Sequence, residues 1–69
     1  MTNFRNLKIA INDQQPLDEV VKELERLGYK AGFTYKVHIR SVEAYQDGIY
    51  DLYNFKQDSD TTLAKLKEM

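Results

Sequence analysis

The chain has 69 residues, 42% hydrophobic and 30% charged, with ten basic against eleven acidic side chains for a formal net charge of −1. That balance is unlike a disordered segment, and it supplies no global field to draw the chain toward nucleic acid. With no cysteine and His38 as its one histidine, the chain has neither disulfides nor a multi-histidine zinc site to staple a thin core.

A single domain of this length buries only about 60% of the surface its unfolded chain exposes. The expected stability is roughly 3–5 kcal/mol, and self-association into a homodimer would add buried apolar surface. The longest apolar run, Ile9-Ala10-Ile11, is far below the roughly 18 residues of a membrane span. Met1-Thr2-Asn3-Phe4-Arg5 lacks a signal-peptide core. Cytoplasm is the expected compartment, with no membrane association.

From Leu7 to Ile11, apolar Leu7, Ile9 and Ile11 alternate with Lys8 and Ala10, the period of a strand with one buried face. Pro16 stands where a helix accepts proline, at its first position. Leu17, Val20, Val21, Leu24 and Leu27 then form one helical stripe, with Asp18, Glu19, Lys22, Glu23, Glu25 and Arg26 on the other side. Gly28 suits the left-handed residue that ends the helix, which would fold Tyr29 back onto Leu24.

Phe33, Tyr35, Val37 and Ile39 alternate with Thr34, Lys36, His38 and Arg40, predicting a second strand with an apolar and a basic face. Its parity breaks near Ser41, where a bulge or bend is expected. Gln46-Asp47-Gly48 reads as a three-residue hairpin loop with Gly48 left-handed, placing Tyr45 opposite Ile49 and Val42 opposite Leu52. A two-residue Asp-Gly turn would instead pair Tyr45 with Tyr50 and set Glu43 against Leu52. The third strand runs from Ile49 to about Lys56. Asp58 to Thr62 offers several N-caps, with Leu63, Leu66 and Met69 following at helical spacing in a short helix that must dock to persist. The predicted fold is α+β: a β-α-β-β-α two-layer sandwich with a three-stranded mixed sheet, one main amphipathic helix and a short C-terminal helix. The first two strands are parallel if they share the sheet.

Sequence signals for catalysis are missing. There is no Gly-x-Ser-x-Gly, no Gly-x-x-x-x-Gly-Lys and no His-Glu-x-x-His, so no catalytic, cofactor or metal residue is assigned. Asp47, Asp51, Asp58 and Asp60 cluster in sequence, but Asp47 fits a turn, Asp51 a solvated strand face and Asp60 a helix cap. The acidic helix exterior of Glu19, Glu23 and Glu25 reads as solubilising before it reads as a mimic of DNA.

Two surfaces remain. Lys8, Lys36, His38 and Arg40 could share a strand face and contact nucleic acid, although the neighbouring aromatics would lie on the opposite face. Five tyrosines and three phenylalanines are many for this length, and tyrosine is enriched at protein interfaces. Tyr45, Tyr50, Tyr53 and Phe55 are the candidate protein-binding set.

Three segments carry a resemblance: Val20-Val21-Lys22-Glu23-Leu24-Glu25-Arg26-Leu27-Gly28-Tyr29-Lys30, the hairpin through Asp47-Gly48-Ile49-Tyr50, and Thr61-Thr62-Leu63-Ala64-Lys65-Leu66-Lys67. Together they resemble small accessory proteins of tailed bacteriophages. The resemblance implies a non-enzymatic protein of the host cytoplasm that binds a host or phage macromolecule, often to inhibit or redirect it. It assigns no individual residues. The expected function is therefore protein binding, with nucleic-acid binding as the alternative.

Overall fold

In the computed structural model, residues 4–34 and 37–69 are described. Four strands and two helices follow in the order β1 (Leu7–Ala10), α1 (Leu17–Arg26), β2 (Lys30–Thr34), β3 (Ser41–Ala44), β4 (Ile49–Tyr53) and α2 (Leu63–Glu68). The strands form one mixed sheet in the order β1-β3-β4-β2. β1 and β3 are antiparallel, as are β3 and β4, while β2 runs parallel to β4.

The α+β class, the mixed sheet and the two helices match the sequence reading; the strand count does not. The sheet has four strands rather than three, and the predicted second strand over Phe33 to Arg40 overlaps β2 only at Phe33 and Thr34, while Val37 to Arg40 lie outside any strand and β3 starts after them at Ser41. β2 begins earlier, at Lys30, and ends at Thr34. His38 has φ 53°, a left-handed conformation that a β-strand cannot continue through. The cause is topological. β2 lies beside β4 at the sheet's rim, whereas β3 lies beyond β4 and antiparallel to it. The end of β2 and the start of β3 thus lie on opposite sides of the same end of β4, beside Leu52 and Tyr53, an arrangement that a single strand through Arg40 could not give. β1 and β2 run in the same sense but stand at opposite edges, with the β3–β4 hairpin inserted between them.

The hairpin register is the predicted one. Val42 faces Leu52, Ala44 faces Tyr50, and the Tyr45 amide donates to the Ile49 carbonyl at 2.8 Å. Gly48 is left-handed at φ 83°, and a Cβ there would lie 2.9 Å from the Phe4 ring.

α1 starts one residue after Pro16, which is its N-cap. It ends in a Schellman motif: left-handed Gly28 donates to Glu25, and the Tyr29 amide donates to the Leu24 carbonyl at 3.0 Å. Val20 and Leu24 on α1, with Leu63 and Leu66 on α2, pack against Leu7, Ile9, Val42, Ala44 and Tyr50 in one buried cluster. Both helices thus lie on the same side of the sheet. Two polar links tie α2 there. Arg26 Nη2 donates to the Leu66 carbonyl at 3.0 Å. Gln15 receives the Leu63 amide while donating to the Ala10 carbonyl.

The N-cap of α2 is Thr62, whose hydroxyl accepts from the Lys65 amide at 3.2 Å. Asp60, expected to cap a helix, serves β1 instead. Its carboxylate accepts the Lys8 amide at 2.8 Å, and the Lys8 carbonyl accepts from the Asp60 and Thr61 amides and the Ser59 hydroxyl. Those bonds close the outer edge of β1, which would otherwise offer unpaired backbone groups to another strand.

Candidate functional site

The sheet face away from the helices is built by strand parity. Along the β3–β4 hairpin the residues alternating with buried Val42, Ala44 and Tyr50 and partly buried Leu52 include Glu43, Tyr45, Asp51 and Tyr53. Glu43 and Asp51 are direct cross-strand partners, a like-charge pairing that is unfavourable in isolation. Tyr45 and Tyr53 stand two residues from them at opposite ends, and their side chains run toward each other over the acidic pair. The Tyr45 hydroxyl lies 3.0 Å from Glu43 Oε2 and 2.8 Å from the Tyr53 hydroxyl, which lies 3.1 Å from Asp51 Oδ2.

This continuous chain, Glu43–Tyr45–Tyr53–Asp51, has hooks at both ends. Lys8 Nζ approaches Glu43 Oε1 at 3.9 Å. Asp51 Oδ1 accepts the Phe33 amide at 2.9 Å. Gly32 makes the latter possible, since a Cβ there would lie 2.5 Å from Asp51 Oδ1 and would also meet an Ile49 methyl.

The pKa of each tyrosine reflects its surroundings. Tyr45 is held well above its ordinary value by burial first, then by its bonds to Tyr53 and Glu43. For Tyr53 the proton offered by Tyr45 favours ionisation, but burial and Asp51 outweigh it, and the net direction is upward. Asp60 is lowered, chiefly by the Lys8 amide, against an opposing contribution from burial.

Phe55 extends the face. Half-exposed, it lies 5.1 Å from Tyr53 between ring centroids, with planes tilted 44°. Its carbonyl accepts the Ser41 hydroxyl at 2.8 Å, and Gln57 also reaches that hydroxyl. The chain leaving β4 therefore covers the Ser41 end of the face before reaching the β1 edge. Between that edge and Tyr45 lies a cleft of about 180 Å³ lined by Asn6, Lys8, Glu43 and Asp60. A wider depression of about 440 Å³ separates the Gln14–Gln15 turn from the start of α2. The Gln15 and Thr62 side chains there are already engaged, with the Leu63 and Lys65 amides.

Of the predicted protein-binding set, Tyr45, Tyr53 and Phe55 come together and Tyr50 does not. Parity puts Tyr50 under the helices, 3% exposed, where its hydroxyl donates to Glu25 Oε2 at 2.9 Å. Burial first, then Glu25, push its pKa up to about 12. The predicted basic stripe loses the strand it needed. Lys36 lies outside the described residues, left-handed His38 interrupts the period, and the Arg40 amide donates to the Tyr53 carbonyl at the start of the hairpin. Lys8 is engaged at Glu43.

Glu43 is the residue that sequence reasoning missed at the centre of this face; Asp51 was read as lying on a solvated strand face, without its partner across the hairpin. Their signal was present in the repeated spacing Glu43-x-Tyr45 and Asp51-x-Tyr53, which the predicted hairpin register sets head to tail. Among the described residues, no helix is long and apolar enough to cross a membrane, and no three His, Asp or Glu side chains gather as a metal site. Comparison with protein-family models, curated proteins and solved structures finds no match.

Proposed function

We propose that this chain is a non-enzymatic binding module that docks a protein partner on the sheet face carrying Tyr45, Tyr53 and Phe55. The observation that carries the reading is the layer arrangement. Both helices pack on one face, while the other presents an aromatic pair and a tyrosine dyad over two carboxylates. Rigid aromatic side chains with polar tips are the groups that anchor protein interfaces. Tyr50 supports this face from within the core.

The resemblance to phage accessory proteins supports a setting, namely a bacterial host's cytoplasm, where the face captures a host protein and inhibits or redirects it. The test is affinity capture from bacterial lysate with and without nuclease, using the native chain and the Tyr45→Ser/Tyr53→Ser/Phe55→Ser variant. The expected result is a stoichiometric protein partner that survives nuclease and is lost with the variant, whose thermal melt stays cooperative. Capture unchanged by the three substitutions would overturn the reading, and sedimentation of the purified chain tells a second copy from a different partner.

A further inference from the structure

We infer that the open sheet face is an arginine-docking surface, its occupant being an arginine-bearing segment of a protein partner. This rests on the binding-module reading and adds the partner's chemistry.

The first argument is a count of protons. A tyrosine hydroxyl has one proton to donate, and an ionised carboxylate has none. The chain Glu43–Tyr45–Tyr53–Asp51 contains three oxygen-to-oxygen contacts of 2.8 to 3.1 Å. Two hydroxyl protons cannot serve all of them. Wherever the two protons sit, one contact brings only lone pairs together: the Glu43 contact when Tyr45 donates to Tyr53, the contact between hydroxyls when each tyrosine donates to its own carboxylate. The face is rich in acceptors and short of donors, so its complement is a group with many donors and no acceptor. Guanidinium has five N–H donors in a planar fork and accepts nothing.

The second argument is charge. Glu43 and Asp51 face each other across the hairpin, and among the described residues Lys8 is the cation within ion-pair range of either, at 3.9 Å from Glu43 with its side chain half-exposed. Among the described residues, two carboxylates stand against one rim ammonium, a negative balance at the centre of the face. A cation brought there relieves the cross-strand repulsion and gains contacts that a neutral donor would not.

The third argument is shape. The tyrosine side chains run along the strands toward each other, and Phe55 continues the aromatic surface beyond Tyr53. A planar guanidinium can lie against aromatic rings while its edge reaches the carboxylates, whereas a compact ammonium with its tight hydration shell satisfies only one of those demands. The aromatic area beyond the acidic centre fits the backbone and neighbouring side chains of a peptide segment rather than a lone cation.

The experiment uses the full chain, isotopically labelled, titrated by NMR with the peptide acetyl-Gly-Arg-Gly-Arg-Gly-amide and its lysine and citrulline counterparts. The expected result is saturable shifts at Glu43, Tyr45, Asp51 and Tyr53 with the arginine peptide. The lysine peptide should bind about fivefold more weakly, and neutral citrulline should give no response. Glu43→Gln/Asp51→Asn should weaken arginine binding about tenfold while retaining a dispersed spectrum. Should that variant unfold, added salt serves in its place, because an ion pair on a half-exposed face weakens with ionic strength. Absence of shifts at this face, or equal responses to arginine and citrulline, would overturn the inference. So would a partner captured through the tyrosines that is untouched by Glu43→Gln/Asp51→Asn, an outcome that leaves the binding module itself standing.

Discussion

Tyr50 and Tyr53 belong to one strand, three residues apart, and do opposite work. Tyr50 faces the helices and is sealed in the core with its hydroxyl on Glu25, whereas Tyr53 faces away and meets Tyr45 over two carboxylates. The helix side is closed by Val20, Leu24, Leu63 and Leu66, whose burial is non-directional. On the far side the hairpin's own tyrosines form the cover, through directional bonds that depend on register. With both helices on one face of the sheet, strand parity decides whether a hairpin tyrosine becomes core or surface. The first face should therefore set stability, and the second recognition.

The largest expected effect is on the helix side. Leu24→Ala removes a fully buried side chain and should cost about 2–5 kcal/mol. That approaches the whole stability of roughly 3–5 kcal/mol expected for a single core of this size. Urea denaturation should find the variant largely unfolded at room temperature. A variant that melts like the native chain would mean that the helix layer is not the structural one.

Next comes Gly32→Ala, on the far side. The added methyl would press against Asp51 and Ile49, displacing the carboxylate that holds the Phe33 amide, and the expected loss is about 1–3 kcal/mol. NMR should show the disturbance centred on Phe33, Asp51 and Tyr53 rather than in α1. A silent substitution would show that Asp51 does not lie over β2.

Asp60→Asn tests the edge where the far face meets the helix layer, with an expected cost of about 1 kcal/mol from the weakened Lys8 amide bond. Asp60's folded pKa is depressed below its ordinary value of 3.8. Its contribution is thus present above that value and lost as pH falls through the lower folded one. The native chain should lose stability on acidification below about pH 4, near the ordinary aspartate value, and the variant should lose less. Equal acid limbs would assign that loss to other carboxylates.

Most of the helix layer was legible in the sequence because its rules are local. The stripe Leu17 to Leu27, the Gly28 stop and the Asp47-Gly48 loop each depend on residues within a few positions of one another. The break between β2 and β3 was not legible. Phe33 to Ile39 alternates like a strand, and what overrides it is a demand from elsewhere, that β2 and β3 stand on opposite sides of β4. Asp60 was misread for a related reason: cap chemistry and edge chemistry use the same carboxylate, and the Lys8 amide it serves is 52 residues away. Tyr50 joined the wrong set because the candidate face was chosen by composition, although the predicted register already placed it opposite Ala44 and on the side of Val42. Carrying that parity through would have given Glu43 and Asp51 as well.

The smallest expected effect separates the two faces most cleanly. Tyr50→Phe removes a hydroxyl sealed against Glu25 and should cost about 1 kcal/mol, while Tyr45→Phe or Tyr53→Phe, on the partly open face, should cost about 0.5 kcal/mol or less. All three native hydroxyls have folded pKa values raised above the ordinary 10.0. Such groups contribute stability that is whole below pH 10 and is lost as pH rises through the folded values, about 12 for Tyr50. Absorbance titration of tyrosinate should therefore show a late fraction in the native chain, part of which Tyr50→Phe removes, while Tyr45→Phe/Tyr53→Phe removes the rest and barely shifts the melt. The opposite pairing, with Tyr50→Phe silent and the double variant unfolded, would make the tyrosine cover the structural layer and put recognition on the helices.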